Sequence, residues 1–202
     1  IAEIYVQSLF LHLKETQNDC TKFITTRFGN VLGSNGSVVP YFKKLISQGG
    51  PITVTHPDII RYFMTIPEAS SLVLEAATLG NGGEIFVFDM GQPVKIADLA
   101  HNMIRLAGFV PGKDIEIIYT GLRPGEKLYE ELLNQKELTI PTSNEKILVA
   151  KVREYDYTVV KDQIEQLIAT AQTGKVFPTV QIMKDIVPEF KSKNSPYEQL
   201  DK

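Results

Sequence analysis

The chain has 202 residues, of which 43% are hydrophobic and 22% charged, with a formal net charge of −3. Those values suit an ordinary globular sequence with a real core, and they give no global attraction to nucleic acid or an anionic membrane. The single cysteine, Cys20, excludes an internal disulfide and fits a reducing compartment, and no apolar run approaches the roughly 20 residues that span a bilayer.

Ile1 to Leu13 already carries apolar positions at three- and four-residue spacing, with neither an N-cap residue nor a secretory pattern ahead of it. It reads as a helix entered partway, so the chain is expected to be a fragment of a longer protein. Lys22 to Phe28, rich in β-branched and aromatic residues, reads as a strand. A loop with three glycines follows, and Ser37 is placed to cap a helix over Val38 to Gln48, with Pro40 in its first turn. Ile52 to Thr55 is a short strand, Ile59 to Ile66 is extended, and Pro67 opens a helix through Leu79. Glu84 to Phe88 is a strand, Lys95 to Ala107 an amphipathic helix, Ile115 to Tyr119 a strand, and Lys127 to Leu133 a helix.

Beyond about residue 134 the character shifts. A polar link leads to a strand at Lys146 to Val152, then to helices near Asp156 to Ala171 and Thr179 to Val187. The organisation expected is one part at 1–134 and a mainly helical extension at 135–202, with the polar tail 191–202 disordered. Alternating strands and helices give an α/β class, with too few strands for a complete doubly wound sheet. A half-sheet with an unpaired edge is expected to self-associate as a homo-oligomer.

Three clusters are candidates for chemistry, the alternatives being an ordinary glycine-rich connection for the first and a turn with a helix-dipole glutamate for the third. Residues 27–40, Arg-Phe-Gly-Asn-Val-Leu-Gly-Ser-Asn-Gly-Ser-Val-Val-Pro, run from a strand through a glycine loop into a helix N-terminus. Such an arrangement lets backbone approach a ligand and presents N–H groups to an anion, with Asn30 and Ser37 as polar side chains. It is neither a dinucleotide GxGxxG nor a Walker loop. Arg61 lies among apolar residues in Ile59-Ile60-Arg61-Tyr62-Phe63-Met64, where it is either a surface arginine or the partner of an anion. Arg123 sits on a Pro-Gly turn just after a strand, where a planar guanidinium can grip a diphosphate, and Glu126 can accept from vicinal hydroxyls.

Other features carry less. Tyr157-Thr158-Val159-Val160-Lys161 has the YxxxK spacing of a short-chain dehydrogenase but follows the ligand loops instead of preceding them, so it reads as a coincidence. His12, His56 and His101 lack metal-ligand spacing, and Cys20 has no basic neighbour in sequence.

Taken in order, the three clusters resemble the capsular-polysaccharide type of UDP-N-acetylglucosamine 4,6-dehydratase, an extended short-chain dehydrogenase/reductase of the nucleoside-diphosphate-sugar epimerase group. The resemblance covers about residues 1–152. It implies the end of a Rossmann-type sheet plus the smaller substrate-binding domain, and NAD held mainly by a half not present here. It also implies UDP-sugar contacts at Asn30, Ser34, Ser37, Thr53, Val54, Arg61, Arg123 and Glu126, with Phe28 bordering the nicotinamide. Arg61 and Arg123 would clamp the diphosphate, Glu126 would hold the ribose, and Thr53 and Val54 would offer backbone groups to the base. The family's GxxGxxG fingerprint and catalytic lysine precede these motifs, so no catalytic residue is assigned and the chain alone is expected to be inactive. A UDP-sugar C4 epimerase uses the same scaffold, and a stand-alone sugar-nucleotide-binding module is the reading from another class. The resemblance further implies a cytoplasmic site at the inner face of a bacterial membrane, since members of this subtype often carry N-terminal transmembrane helices.

Overall fold

A computed structural model describes residues 1–17, 19–130 and 138–201. In chain order the first elements are helix α1 (Ala2–Thr16), strands β1 (Thr25–Arg27) and β2 (Asn30–Val31), and helix α2 (Val38–Ser47). Strands β3 (Ile52–Val54), β4 (Ile60–Arg61) and β5 (Phe63–Met64) lead to helix α3 (Ile66–Leu79). Strands β6 (Ile85–Phe88) and β7 (Val94–Lys95), helix α4 (Ile96–Leu106) and strand β8 (Ile117–Tyr119) follow. The remainder is strands β9 (Leu138–Pro141) and β10 (Ile147–Lys151), helices α5 (Tyr157–Gln172) and α6 (Val176–Ile186), and a 3-10 turn at Pro196–Leu200.

The fold is mixed α/β. Its main sheet has the order β1-β6-β10-β9, with β1 parallel to β6 and β10 antiparallel to both its neighbours. Strand β6, Ile-Phe-Val-Phe, is buried at every position, because it is central and covered on both faces. Phe86 and Phe88 pack under α3 with Leu72 and Ala76, while Ile85 and Val87 pack on the other face with Ala150. Arg27 ties the sheet to α1 through two bonds to Glu3, at 2.8 and 2.5 Å.

A second core lies beside the sheet. Phe42 and Ile46 from α2, Ile52 and Val54 from β3, and Ile96, Ala100 and Ile104 from α4 form one buried cluster with Ile59 and Ile115. The α4 residues recur every four positions, so one helical face supplies them. Three two-stranded ribbons join this region, β2 with β5, β3 with β8 and β4 with β7.

The sequence-based elements are shorter in the structure where tertiary geometry interrupts them. Only Thr25–Arg27 of the strand expected at 22–28 pairs. The extended run 59–66 breaks at Tyr62 into β4 and β5, which pair with different partners. The hydroxyl of Thr65 accepts from the Glu68 amide at 3.3 Å, so α3 begins one residue before Pro67. The helix expected from Lys127 is absent over residues 127–130, and its remainder lies outside the described residues. The boundary expected near 134 also lies outside them.

The segment beyond that boundary does not stand apart. Strand β9, within the segment expected to be a polar link, pairs with β10, and β10 joins β6. Helix α5 packs on α1, where Tyr157 stacks on His12 at 4.8 Å. Hydrogen bonding to Tyr5 and burial push the Tyr157 hydroxyl up from its ordinary pKa, the opposite of what a catalytic tyrosinate needs. The segment expected to be a disordered tail folds against α6, where Asp201 pairs with the buried Lys184. Among the described residues no helix is long and apolar enough to cross a membrane.

Candidate functional site

A cleft of about 520 Å³ opens over the second core. Its apolar floor is Val38, Phe42, Val54, Ile59, Phe63 and Ile96, and its polar rim is Asn30, Ser37, Tyr41, Thr53, Thr55, Arg61, Arg123 and Glu126. Three segments far apart in sequence therefore meet at one opening. Its charged side chains are two arginines against one glutamate, a local positive balance in a chain of net charge −3.

Asn30 opens β2, where Gly29 precedes it for a steric reason. A Cβ on Gly29 would meet the Tyr62 Cβ at 3.0 Å and the Tyr62 carbonyl at 3.1 Å, because β2 runs hard against the β4–β5 junction. The Asn30 side-chain amide donates to the Tyr62 carbonyl and to Glu130 Oε2, each at 3.1 Å. Both acceptors demand the NH₂ end, so the group facing them is fixed and Oδ1 is the side chain's remaining acceptor.

Ser37 is the N-cap residue of α2 by backbone position but makes no side-chain capping bond, contrary to the expectation from its sequence context. Its Oγ is buried and has no hydrogen-bond partner among the described residues. A buried orphan hydroxyl costs roughly 1–3 kcal/mol, so its presence in a cleft wall points to a ligand that satisfies it. Beside it the α2 amides of Val38 and Val39 have no intrahelical acceptor, while Pro40 has no N–H to offer.

On β3 the ladder decides which backbone groups face outward. The Ile52 amide donates to Glu116, and the Val54 carbonyl accepts from Thr120, so both residues bond towards β8. By the alternation of a parallel ladder, Thr53 directs its amide and carbonyl to the other edge. Val54 thus serves the floor, 2% exposed, and its carbonyl is already taken by Thr120. The Thr53 hydroxyl shares a hydrogen bond with the Tyr41 hydroxyl at 3.1 Å.

The arginines differ. Arg61 is held from the protein side, donating to the Ile60 carbonyl at 2.7 Å and lying 3.7 Å from Glu126. Arg123 is exposed, and among the described residues its guanidinium has no hydrogen bond or ion pair. Glu126 organises the turn between them. Its Oε1 accepts from Thr55 at 3.0 Å and its Oε2 from the Arg123 amide at 2.9 Å, leaving lone-pair capacity for a hydroxyl.

Of the residues named from the sequence, Ser34, expected at the sugar nucleotide, and Phe28, expected at the nicotinamide, lie outside this cleft. Ser34 does not line the cleft, because its hydroxyl turns back to the Val31 carbonyl at 2.9 Å. Phe28 stacks on Phe88 at 5.5 Å, on the α3 side of the sheet, and is not part of the cleft wall. Conversely Tyr41 and Thr55 were missed, although both signals were present. Tyr41 is one helical turn beyond Ser37, and Thr55 alternates with Thr53 on one face of a strand.

The polysaccharide biosynthesis protein family matches residues 1–152. The chain is 56% identical over 168 residues to the capsular polysaccharide biosynthesis protein CapD of Staphylococcus aureus, covering 83% of this chain and 27% of CapD. It is 39% identical over 121 residues to a UDP-N-acetylglucosamine 4,6-dehydratase (inverting) of Campylobacter jejuni, covering 59% of this chain and 34% of that enzyme. The solved structure of Pen from Bacillus thuringiensis is similar with a TM-score of 0.62 and 34% identity, over 74% of this chain and 44% of Pen. The chain spans about a quarter of the length of the polysaccharide biosynthesis relatives it matches at 56% identity. With its three motifs in order and a family match over three quarters of its length, the chain belongs to the polysaccharide biosynthesis protein family.

Proposed function

We propose that the cleft binds the UDP-sugar of a UDP-N-acetylhexosamine 4,6-dehydratase that serves capsular or surface polysaccharide synthesis. The observation that carries this reading is the meeting of Ser37, Thr53, Arg61, Arg123 and Glu126 at one opening that already holds an unsatisfied buried hydroxyl. Arg123 and the spare donors of Arg61 take the diphosphate, whose charge matches the positive balance of the rim. The Ser37 hydroxyl and the α2 amides donate to the same oxygens or to the sugar. Glu126 receives a ribose hydroxyl, and the outward backbone of Thr53 meets the base beside Tyr41. Asn30 presents an acceptor to a sugar hydroxyl or N–H.

The cleft itself is not a dinucleotide site: the sequence contains no GxxGxxG turn, and Phe28, the residue expected to border the nicotinamide, lies outside it on the α3 side of the sheet. NAD⁺ bound outside this cleft would supply reversible hydride acceptance at the hexose. The work of these residues is to bind and orient the sugar nucleotide and to exclude water from it. Calorimetric titration with UDP-N-acetylglucosamine should show saturable binding that UDP competes away. The same chain with added NAD⁺ should release no 4-keto-6-deoxy product. Absence of binding sinks the site, and product formation sinks the division of labour.

A further inference from the structure

We propose that residues 191–201 form a strap that positions the Arg123 turn, with the Lys184–Asp201 ion pair as its fastening; this rests on the assignment of Arg123 to the ligand. The contact is a backbone hydrogen bond, in which the Gly125 amide donates to the Lys193 carbonyl at 2.8 Å. Gly125 sits at φ 78°, a left-handed position that suits glycine and aims its amide away from the turn's own bonds. Those bonds anchor the turn at Glu126, through the Glu126 amide to the Arg123 carbonyl and the Arg123 amide to the Glu126 carboxylate, both 2.9 Å. The strap supplies a second, independent anchor one residue away.

What holds the strap is polar and specific. Both oxygens of Asp201 accept from the Ser192 amide, at 3.1 and 3.0 Å, and Oδ1 also pairs with the Lys184 ammonium. Lys184 is 4% exposed and lies over the Phe190 ring, 5.5 Å from its centroid. A buried ammonium needs its counter-charge, so releasing Asp201 leaves an uncompensated charge beneath the strap. Ser195 and Glu198 close a capping box that shapes the 3-10 turn, and Tyr197 meets Phe177 edge-on at 5.1 Å.

Between strap and turn the packing is open. An apolar cavity of about 440 Å³ separates Pro124 and Gly125 from Met183, Val187, Phe190 and Tyr197. With little packing to hold the turn on that side, the Gly125–Lys193 bond is its restraint there. Arg123, with no other partner among the described residues, goes where the turn goes. Asp201 is accordingly a positioning residue, acting through Ser192, Lys193 and Gly125.

The test compares the full 202-residue chain with Asp201→Asn, with the double variant Lys184→Met/Asp201→Asn, which strands no charge, and with a chain ending at Phe190. Amide exchange over 121–128, without ligand, should quicken by about 10-fold or more in all three, while β3 is unchanged. UDP binding by calorimetry should weaken by about 3- to 10-fold, the range of one net hydrogen bond. Lys193→Ala should change neither, because only its carbonyl holds the turn. Unchanged exchange over 121–128 in both the double variant and the shortened chain overturns the strap. Faster exchange with unaltered UDP affinity, where Arg123→Ala does weaken UDP, overturns the positioning role alone. If Arg123→Ala leaves UDP binding unaltered, the assignment of Arg123 to the ligand falls and this proposal with it.

Discussion

Replacing Arg123 and Arg61 by alanine, one at a time, asks two different questions of the cleft, because the protein holds the two side chains differently. Arg123 is exposed and makes no side-chain bond among the described residues, so Arg123→Ala should leave folding stability within about 0.5 kcal/mol of the parent. Arg61 lies 3.7 Å from Glu126, and both side chains are 19% exposed. A fully buried pair broken on one side costs about 3–5 kcal/mol and an exposed one at most about 1, so this intermediate case should cost about 1–2 kcal/mol. In a chain of 202 residues that corresponds to a melting shift of about 2–8 °C.

Binding should respond in both variants. Losing one partner of a desolvated charge pair costs about 2–5 kcal/mol, and the exposure of Arg123 puts it at the lower end, about 2–3 kcal/mol or roughly 30- to 150-fold in Kd. Arg123→Lys should recover little, since an ammonium cannot reproduce the planar fork. Thermal melts and calorimetric titration with UDP-N-acetylglucosamine read the two effects separately. Arg123→Ala should change affinity alone, and Arg61→Ala should change both. If both alanine variants bind within about three-fold of the parent, below even the solvated-arginine limit, the diphosphate assignment is wrong.

Other outcomes follow from single groups. Ser37→Ala removes a buried hydroxyl that has no partner, so melting should hold or rise while UDP-sugar affinity drops by about 3- to 10-fold; a lower melting point with unaltered affinity contradicts this. Asn30→Asp places an acceptor against the Tyr62 carbonyl and Glu130, and urea unfolding should show a loss of about 1–3 kcal/mol. Lys184, then the Ser192 amide and the more distant Lys191, hold Asp201 below its ordinary carboxylate range. Its contribution is therefore present above the unfolded value near 3.9 and is lost as pH falls through the lower folded value, and carbon NMR should place the carboxyl midpoint below about 3.9.

How much of this was legible depends on what each residue's signal refers to. The α4 face and the Ile-Phe-Val-Phe strand were readable because burial imposes periodicity or its absence on local sequence. Arg61 and Arg123 were readable as candidates, since an arginine among apolar residues or on a rigid turn is locally unusual. Their sharing one cleft was legible only through the family resemblance and not from the residues themselves, because β3–β8 and β4–β7 pairing decides it over long separations. Val54 and Thr53 show the limit most clearly. The pattern Thr-Val-Thr gives the faces, but which residue's backbone is consumed depends on β8 lying along one edge. Ser34 and Ser37 are two serines of one loop, and only the fold shows that the first turns inward to Val31 while the second is left unsatisfied. The helix expected at Lys127 followed propensity, whereas residues 127–130 instead run beside β4, with the Leu128 carbonyl accepting from the Ile60 amide at 3.2 Å.

The polar groups of the cleft share a position in the fold that explains how a floor of ordinary core residues carries a charged site. Asn30 opens β2, Ser37 precedes α2, Thr55 follows β3, Arg61 ends β4, and Arg123 follows β8. At each of these points the backbone leaves its hydrogen-bonded pattern and the side chain reaches solvent without stranding a charge in the interior. Phe42, Val54, Ile59 and Ile96 then serve twice, as members of the second core and as the cleft floor. A large-to-small change at Phe42, typically costing about 3–5 kcal/mol for a buried aromatic, would move the N-terminal turn of α2 and with it Ser37 and Tyr41. Affinity in this chain is thus tied to stability on the floor side and independent of it at Arg123, the one charged rim residue that the described structure leaves unpaired.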